Sequence, residues 1–289
     1  MEDHVVGKNI LLRQALSTAY NEEQANTLFG SGLWVKAEQL LPPGVIGHDP
    51  HFTNPYRTQN LAQAEALLKQ AGYPKAIAPK TSQPLTLTLE VIANSAEERQ
   101  MAEFDQGQIQ QLGLRCKIEE NTFARFQDKQ ITGHFQMNTG SGWNADYPDP
   151  ENFFALFYSK NIPPQGSNNT RFSNPEFDRL FERMSTMDNS PERLNIIRQL
   201  NAILVEQCPV ILGFHRVVFT LYQPWVRRVS SNAMLLEGGG MKYVSLDAAL
   251  RAKKIREWNR TSTWPLWTLA GVIALVIGYA LARARKSNL

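Results

Sequence analysis

From Trp264 to Ala282, nineteen consecutive residues carry no formal charge: Trp-Pro-Leu-Trp-Thr-Leu-Ala-Gly-Val-Ile-Ala-Leu-Val-Ile-Gly-Tyr-Ala-Leu-Ala. As an α-helix the run would be about 28 Å long, close to the hydrocarbon thickness of a bilayer. A soluble helix of five turns with no polar face would have to be buried all round. Trp264, Trp267 and Tyr279 stand toward the ends, where aromatic rings favour the membrane interface, and Arg283, Arg285 and Lys286 close the run. The pattern predicts a transmembrane helix at 264–282, a basic tail at 283–289 and a basic juxtamembrane segment at 251–263. Ala270, Ala274, Gly278 and Ala282 recur every four residues, which puts small side chains on one face that another helix could approach.

Charge is divided unevenly along the 289 residues. Residues 251–289 hold eight Lys and Arg against one acid, whereas residues 1–250 hold 22 against 26. An acidic body lacks the clustered Lys and Arg that phosphate contacts need, so nucleic acid is not an expected partner. A body of this length, in a chain 43% hydrophobic and 20% charged, can bury substantial cores. The two cysteines, Cys116 and Cys208, are far apart and fit no zinc or redox spacing. One disulfide or two buried thiols both accommodate them. Met1 to Lys8 contains no apolar signal core.

Periodicity organises the body. Helical spacing is read over 9–20, 22–29 and 61–71, the last stopped by Gly72 and Pro74, with a Pro- and Gly-containing loop at 40–47. Leu85 to Val91 alternates apolar and polar residues, as a strand with one buried face does. A helix over 96–112, a strand over 114–119, a helix over 123–131 and a strand over 134–139 complete an alternating order. That order predicts an α/β layer with helices packed on a sheet. Asp149-Pro150-Glu151, Asn174-Pro175-Glu176 and Ser190-Pro191-Glu192 each supply a capping side chain, a proline without a surplus N–H, and an acid at the positive helix end. Strand-like segments follow at 210–214 and 217–222, then a helix over 247–259.

His48, Asp49 and His51 are metal-ligand types, but Pro50 prevents one helix face from presenting them together. Asp146 and Asp149 have the residue types of a glycosidase pair, yet Asp149 already has a capping task. No nucleophile elbow, phosphate loop or His-Glu-x-x-His pattern accompanies them, so no cofactor is called for. Trp143-Asn144-Ala145-Asp146-Tyr147 is more informative. It sets a carboxylate between two aromatic residues at a strand-to-helix junction, where a carboxylate can fix a ligand ammonium and rings can wall an apolar group.

Several strings in order carry a family resemblance: Leu12-Arg13-Gln14-Ala15-Leu16, Leu41-Pro42-Pro43-Gly44, Ala64-Glu65-Ala66-Leu67-Leu68-Lys69-Gln70-Ala71-Gly72-Tyr73-Pro74 and Gly142-Trp143-Asn144-Ala145-Asp146-Tyr147-Pro148-Asp149-Pro150. They continue with Asn168-Asn169-Thr170-Arg171-Phe172-Ser173-Asn174-Pro175-Glu176-Phe177-Asp178, Pro191-Glu192-Arg193 and Cys208-Pro209-Val210-Ile211. From about Asn9 to Asp247 the chain resembles the C-terminal part of bacterial extracellular solute-binding proteins of family 5, the peptide- and nickel-binding class.

The resemblance implies an α/β lobe of periplasmic-binding-protein-like type II over 1–215, with 216–250 returning toward a first lobe that this sequence does not include. It implies the substrate-binding component of an ABC-type importer of oligopeptides or dipeptides, a fragment of a longer receptor and not an enzyme. Carried over by position, Asp146 pairs with the ligand α-ammonium and Trp143 is the neighbouring wall. Partners would be a peptide or other small solute, the permease subunits and, through the C-terminal helix, membrane lipid. The family places the body on the periplasmic side of the inner membrane, although five cations before the span against three after it lean the other way. Peptides, oligosaccharides and nickel complexes all occur as ligands in the family. Two rivals stand beside this reading: a membrane-anchored interaction domain with a degenerate solute-binding fold, and a hydrolase built on Asp146 and Asp149.

Overall fold

A computed structural model describes residues 5–139, 142–217, 219–229 and 241–287. The chain separates into two units, Met1–Val218 and Phe219–Leu289. The first contains helices α1 (Ile10–Ala19) and α2 (Glu22–Phe29), strand β1 (Val35–Lys36), α3 (Leu61–Gln70) and the short strands β2 (Ile77–Ala78) and β3 (Gln83–Pro84). Then come β4 (Thr86–Ile92), α4 (Ala96–Gln110), β5 (Arg115–Asn121), α5 (Phe123–Thr132), β6 (Met137–Asn138), α6 (Glu151–Phe154), α7 (Pro175–Ser185), α8 (Pro191–Gln207) and β7 (Phe214–His215). The second unit holds β8 (Val226–Arg227), β9 (Ser245–Leu246), α9 (Ala248–Trp258) and α10 (Trp264–Ser287).

The helices start where the sequence provides caps. Asn9, Asn21, Asn60, Ser95, Thr122, Asn174 and Ser190 each accept a backbone N–H from the first turn of the helix that follows. Ser95 and Glu98 form a reciprocal capping box on α4. Pro175 and Pro191 open α7 and α8 as expected, but the Pro150 start yields only the four-residue α6.

A three-stranded parallel sheet in the order β5-β4-β6 is the frame of this unit. In register, Leu87 lies beside Cys116, Leu89 beside Ile118 and Met137, and Glu90 beside Glu119 and Asn138. On one face Leu89, Val91 and Cys116 pack on Ala102 of α4. Leu85 and Leu87 continue that core against Leu12, Ala15, Leu16 and Ala19 of α1 and Ala64 and Leu68 of α3. The other face meets α5, where Lys129 reaches Glu90 at 2.5 Å.

β4 therefore corrects the reading of a strand with one buried face. Glu90 is only 4% exposed, because the central strand of a parallel sheet is covered by crossover helices on both sides. Its carboxylate Oε2 accepts from Lys129 Nζ and from Asn121 Nδ2 at 2.7 Å, as a buried charge requires.

The strand expected over 134–139 shortens to Met137–Asn138. Of the segments expected at 210–214 and 217–222, only Phe214–His215 forms a strand among the described residues, pairing antiparallel with β1. Pro209 and Gly213 punctuate the first segment, and Trp34 stacks on Phe214 at a centroid distance of 3.5 Å. Buried Arg13 ties α1 to the end of α8 by donating to the carbonyls of Gln207 and Cys208, and also to those of Val6 and Gly7. Phe154, Phe172 and Phe181 gather around Phe177 in an aromatic core under α6 and α7, with centroids 5.5–6.4 Å from the Phe177 ring.

In the second unit β8 pairs antiparallel with β9, and buried Trp225 meets Trp258 of α9 at 5.2 Å between centroids. α10 runs on to Ser287, five residues past the uncharged stretch. Its Trp264–Arg285 portion has mean hydropathy 1.9, none of it buried, and is long and apolar enough to cross a membrane. Within the 216–250 segment, residues 218 and 230–240 lie outside those described.

Candidate functional site

The sheet order itself marks a position. From β4 the chain moves to β5 on one side and then crosses to β6 on the other. In open α/β sheets ligands bind in the crevice at such a reversal, outside the carboxyl ends of the strands. Here those ends are Ala93–Ser95 after β4 and the segment from Thr139 after β6.

Thr139 is held at the sheet. Its N–H donates to the Glu90 carbonyl at 3.1 Å and its hydroxyl donates to Asp105 Oδ2 of α4 at 2.6 Å. Tyr20 donates to the other Asp105 oxygen at 3.1 Å. Burial pushes the Asp105 carboxyl up, against the opposing pull of these two hydrogen bonds.

Four residues beyond Thr139 lies Trp143, and three further lies Asp146. Trp143 is 41% exposed and Tyr147 43%, and Asp146 is also exposed. What joins them is Asn152 on α6, which is 6% exposed. Its Oδ1 accepts from Trp143 Nε1 at 2.8 Å and from the Asp146 backbone N–H at 3.2 Å. Its Nδ2 donates to Asp146 Oδ2 at 3.3 Å. No cation is paired with Asp146 among the described residues.

The expected partner residues are thus brought together, through an amide that the sequence reading did not single out. Its signal was a polar residue one position into a short helix otherwise made of Glu and Phe.

Asp149 plays a different part. Its Oδ1 accepts the Glu151 N–H at 2.9 Å and Arg193 Nη2 at 2.7 Å. Burial raises its pKa, but the Arg193 hydrogen bond, the Glu151 N–H and the Arg193 charge outweigh burial and hold it below the ordinary carboxylate range. It is an ionised structural group rather than one half of a carboxylate pair. Tyr147 donates its hydroxyl to Glu151. His48 Nδ1 lies 2.8 Å from the Leu41 carbonyl oxygen. Cys116 and Cys208 are both buried free thiols, which removes the disulfide alternative, and burial pushes each up to about 11.

A small cavity elsewhere in the first unit is lined by Ser17, Asn54, Arg57, Asn201, Leu204 and Cys208, among others, and includes neither Asp146 nor Trp143. Arg57 pairs with Glu22 beside it, and Arg57 Nε and Nη1 and Glu22 Oε1 are buried without hydrogen-bond partners.

Residues 4–164 match the family model described as bacterial extracellular solute-binding proteins, family 5 Middle. Among curated relatives, the dipeptide-binding protein of Escherichia coli (strain K12) is 27% identical over 212 residues, covering 73% of this chain and 38% of the relative. Heme-binding protein A of Haemophilus influenzae is 28% identical over 223 residues, covering 76% and 39%. The chain thus spans about four-tenths of the length of these relatives. The solved structure of HbpA2 from Haemophilus parasuis superposes with a TM-score of 0.70 at 26% identity, covering 83% of this chain and 45% of that one. A matched segment that takes in the parallel sheet, the junction at Trp143–Asp146 and α6 makes this chain a member of the bacterial extracellular solute-binding proteins of family 5.

Proposed function

We propose that this chain supplies one lobe of the substrate-binding component of an ABC-type peptide importer. Asp146 pairs with the ligand α-ammonium and the Trp143 ring forms the adjoining wall. The Trp264–Arg285 helix tethers the body on the extracytoplasmic face of the inner membrane. The observation that carries the reading is the exposed Asp146 carboxylate, with no cation paired to it, set beside an exposed indole on the chain leaving β6. The E. coli and H. influenzae relatives, named for dipeptide and heme binding, support a solute-binding role.

A clamp gains affinity by burying its ligand between two walls and excluding water. Asp146 is exposed in this chain, so an ion pair it makes there is formed in solvent and is worth about 0–1 kcal/mol. Binding by this chain alone is therefore weak. The test is fluorine NMR of the full chain carrying 5-fluorotryptophan in detergent, titrated with a tripeptide and with its N-acetylated counterpart. The expected result is a shift of the Trp143 resonance with the free amine only, at millimolar concentrations, abolished by Asp146→Asn. Equal responses to the two peptides refute the ammonium contact, and micromolar affinity refutes the one-lobe reading.

A further inference from the structure

The segment between Ala248 and Trp264 carries charge that the solute-binding reading does not use. Arg251, Lys253, Lys254 and Arg256 lie on α9 and Arg260 follows it. Only Glu257 opposes them, and it is taken by Lys254 at 2.9 Å. Arg251, Lys253, Arg256 and Arg260 are exposed and none is in a contact ion pair among the described residues, although the Lys253 charge also acts on Glu257. α9 buries none of its residues, and an eleven-residue helix in water is marginal unless something holds it. Trp258 packs on Trp225, yet is still 58% exposed.

We propose that the 251–260 segment is a docking surface for anionic phospholipid headgroups. The proposal rests on the reading of Trp264–Arg285 as a membrane span. Arg260 then lies four residues from the bilayer boundary. The five residues Asn259–Thr263 reach at most about 17 Å, so α9 cannot leave the vicinity of the headgroups. Attraction to a charged surface falls off over a Debye length of about 8 Å at physiological salt, and a tether of about two such lengths keeps α9 returning into that zone. Four exposed cations held near the surface by a covalent tether meet lipid phosphates before any soluble anion. Each basic residue close to an anionic leaflet strengthens the attraction about fivefold. Exposed Trp258 and Trp264 supply rings of the kind that settle at headgroup level.

The test uses the full chain in nanodiscs of phosphatidylcholine, with and without about 30% phosphatidylglycerol, and reads amide exchange over 248–260 and 264–285 separately. Expected is protection of 264–285 in both discs. Exchange over 248–260 slows tenfold or more only with phosphatidylglycerol, and the slowing disappears near 0.5 M NaCl. Replacing Arg251, Lys253, Arg256 and Arg260 together by Gln, a good helix former, abolishes the slowing, whereas replacing the three arginines by Lys retains it. Equal exchange of 248–260 in the two discs, with 264–285 protected, overturns the lipid surface alone. Rapid exchange over 264–285 overturns the span reading, and the lipid surface with it.

Discussion

Replacing Arg57 by Met puts a buried carboxylate to the test. Glu22 pairs with Arg57, whose side chain is wholly inaccessible. Burial raises the Glu22 pKa from 4.5 to about 7, even though the Arg57 charge and hydrogen bond and the Lys36 charge pull it down. The folded protein therefore holds this proton over a range where the unfolded chain has released it. Stability falls as pH rises from about 4.5, and the loss levels off above about 7. Across that window it amounts to about 3 kcal/mol, at 1.36 kcal/mol per pH unit. Met removes the charge that checks the rise, so the folded pKa moves above 7 and stability goes on falling where the wild type levels off. Between pH 7 and pH 8 the variant should lose about 1 kcal/mol more than the wild type, which is itself still releasing the last of this proton. This comes on top of a loss already present at pH 6, where the buried pair is broken and Glu22 is held neutral. Urea melts at pH 6, 7 and 8, followed by near-ultraviolet CD of Trp34 stacked on Phe214, measure both quantities. Wild-type and variant curves that stay parallel from pH 6 to pH 8 would refute the reasoning.

Asn152→Leu removes the acceptor shared by Trp143 and Asp146; it should cost about 1–2 kcal/mol in urea melts, because water replaces bonds to exposed partners, while the Trp143 response to a free-amine peptide is lost. Asp149→Asn should destabilise by about 1–3 kcal/mol at pH 7 by breaking the Arg193 pair. Because the folded pKa of Asp149 is depressed, that difference is fully present above the unfolded carboxylate pKa of about 3.9 and should vanish as melts are taken to lower pH, through the folded value. At pH 7.5 neither Cys116 nor Cys208 should react with a thiol reagent within minutes, whereas both should react in urea, since burial raises both thiols to about 11.

Local rules carried the first unit a long way. Caps at Asn60, Ser95, Thr122, Asn174 and Ser190 begin helices where the side chain offers an acceptor, and Gly72, Gly113 and Gly133 take the positive φ beyond helix ends. Alternation located β4 and β5 within a residue or two. It could not reveal that Glu90 is buried, because that depends on Lys129 and Asn121 arriving from elements 39 and 31 residues away. Strand length after Phe135 was also hidden, since β6 ends where its pairing with β4 ends and not where its residues cease to be strand formers. At the site, Trp143 and Asp146 stood out by residue type, whereas Asn152 looked like an ordinary helix residue until its burial was known. Arg13 and Arg193 were visible only as parts of family strings. Their work as buried struts, to α8 and to Asp149, is a long-range matter.

The single amide oxygen of Asn152 serves both the Trp143 indole and the Asp146 main chain. Ring and acid therefore share one pivot. Moving that side chain would move both, and it is flanked on α6 by Phe153 and Phe154, which are buried in the interior. The position of the acid and the tilt of the ring cannot be tuned independently while that amide is in place.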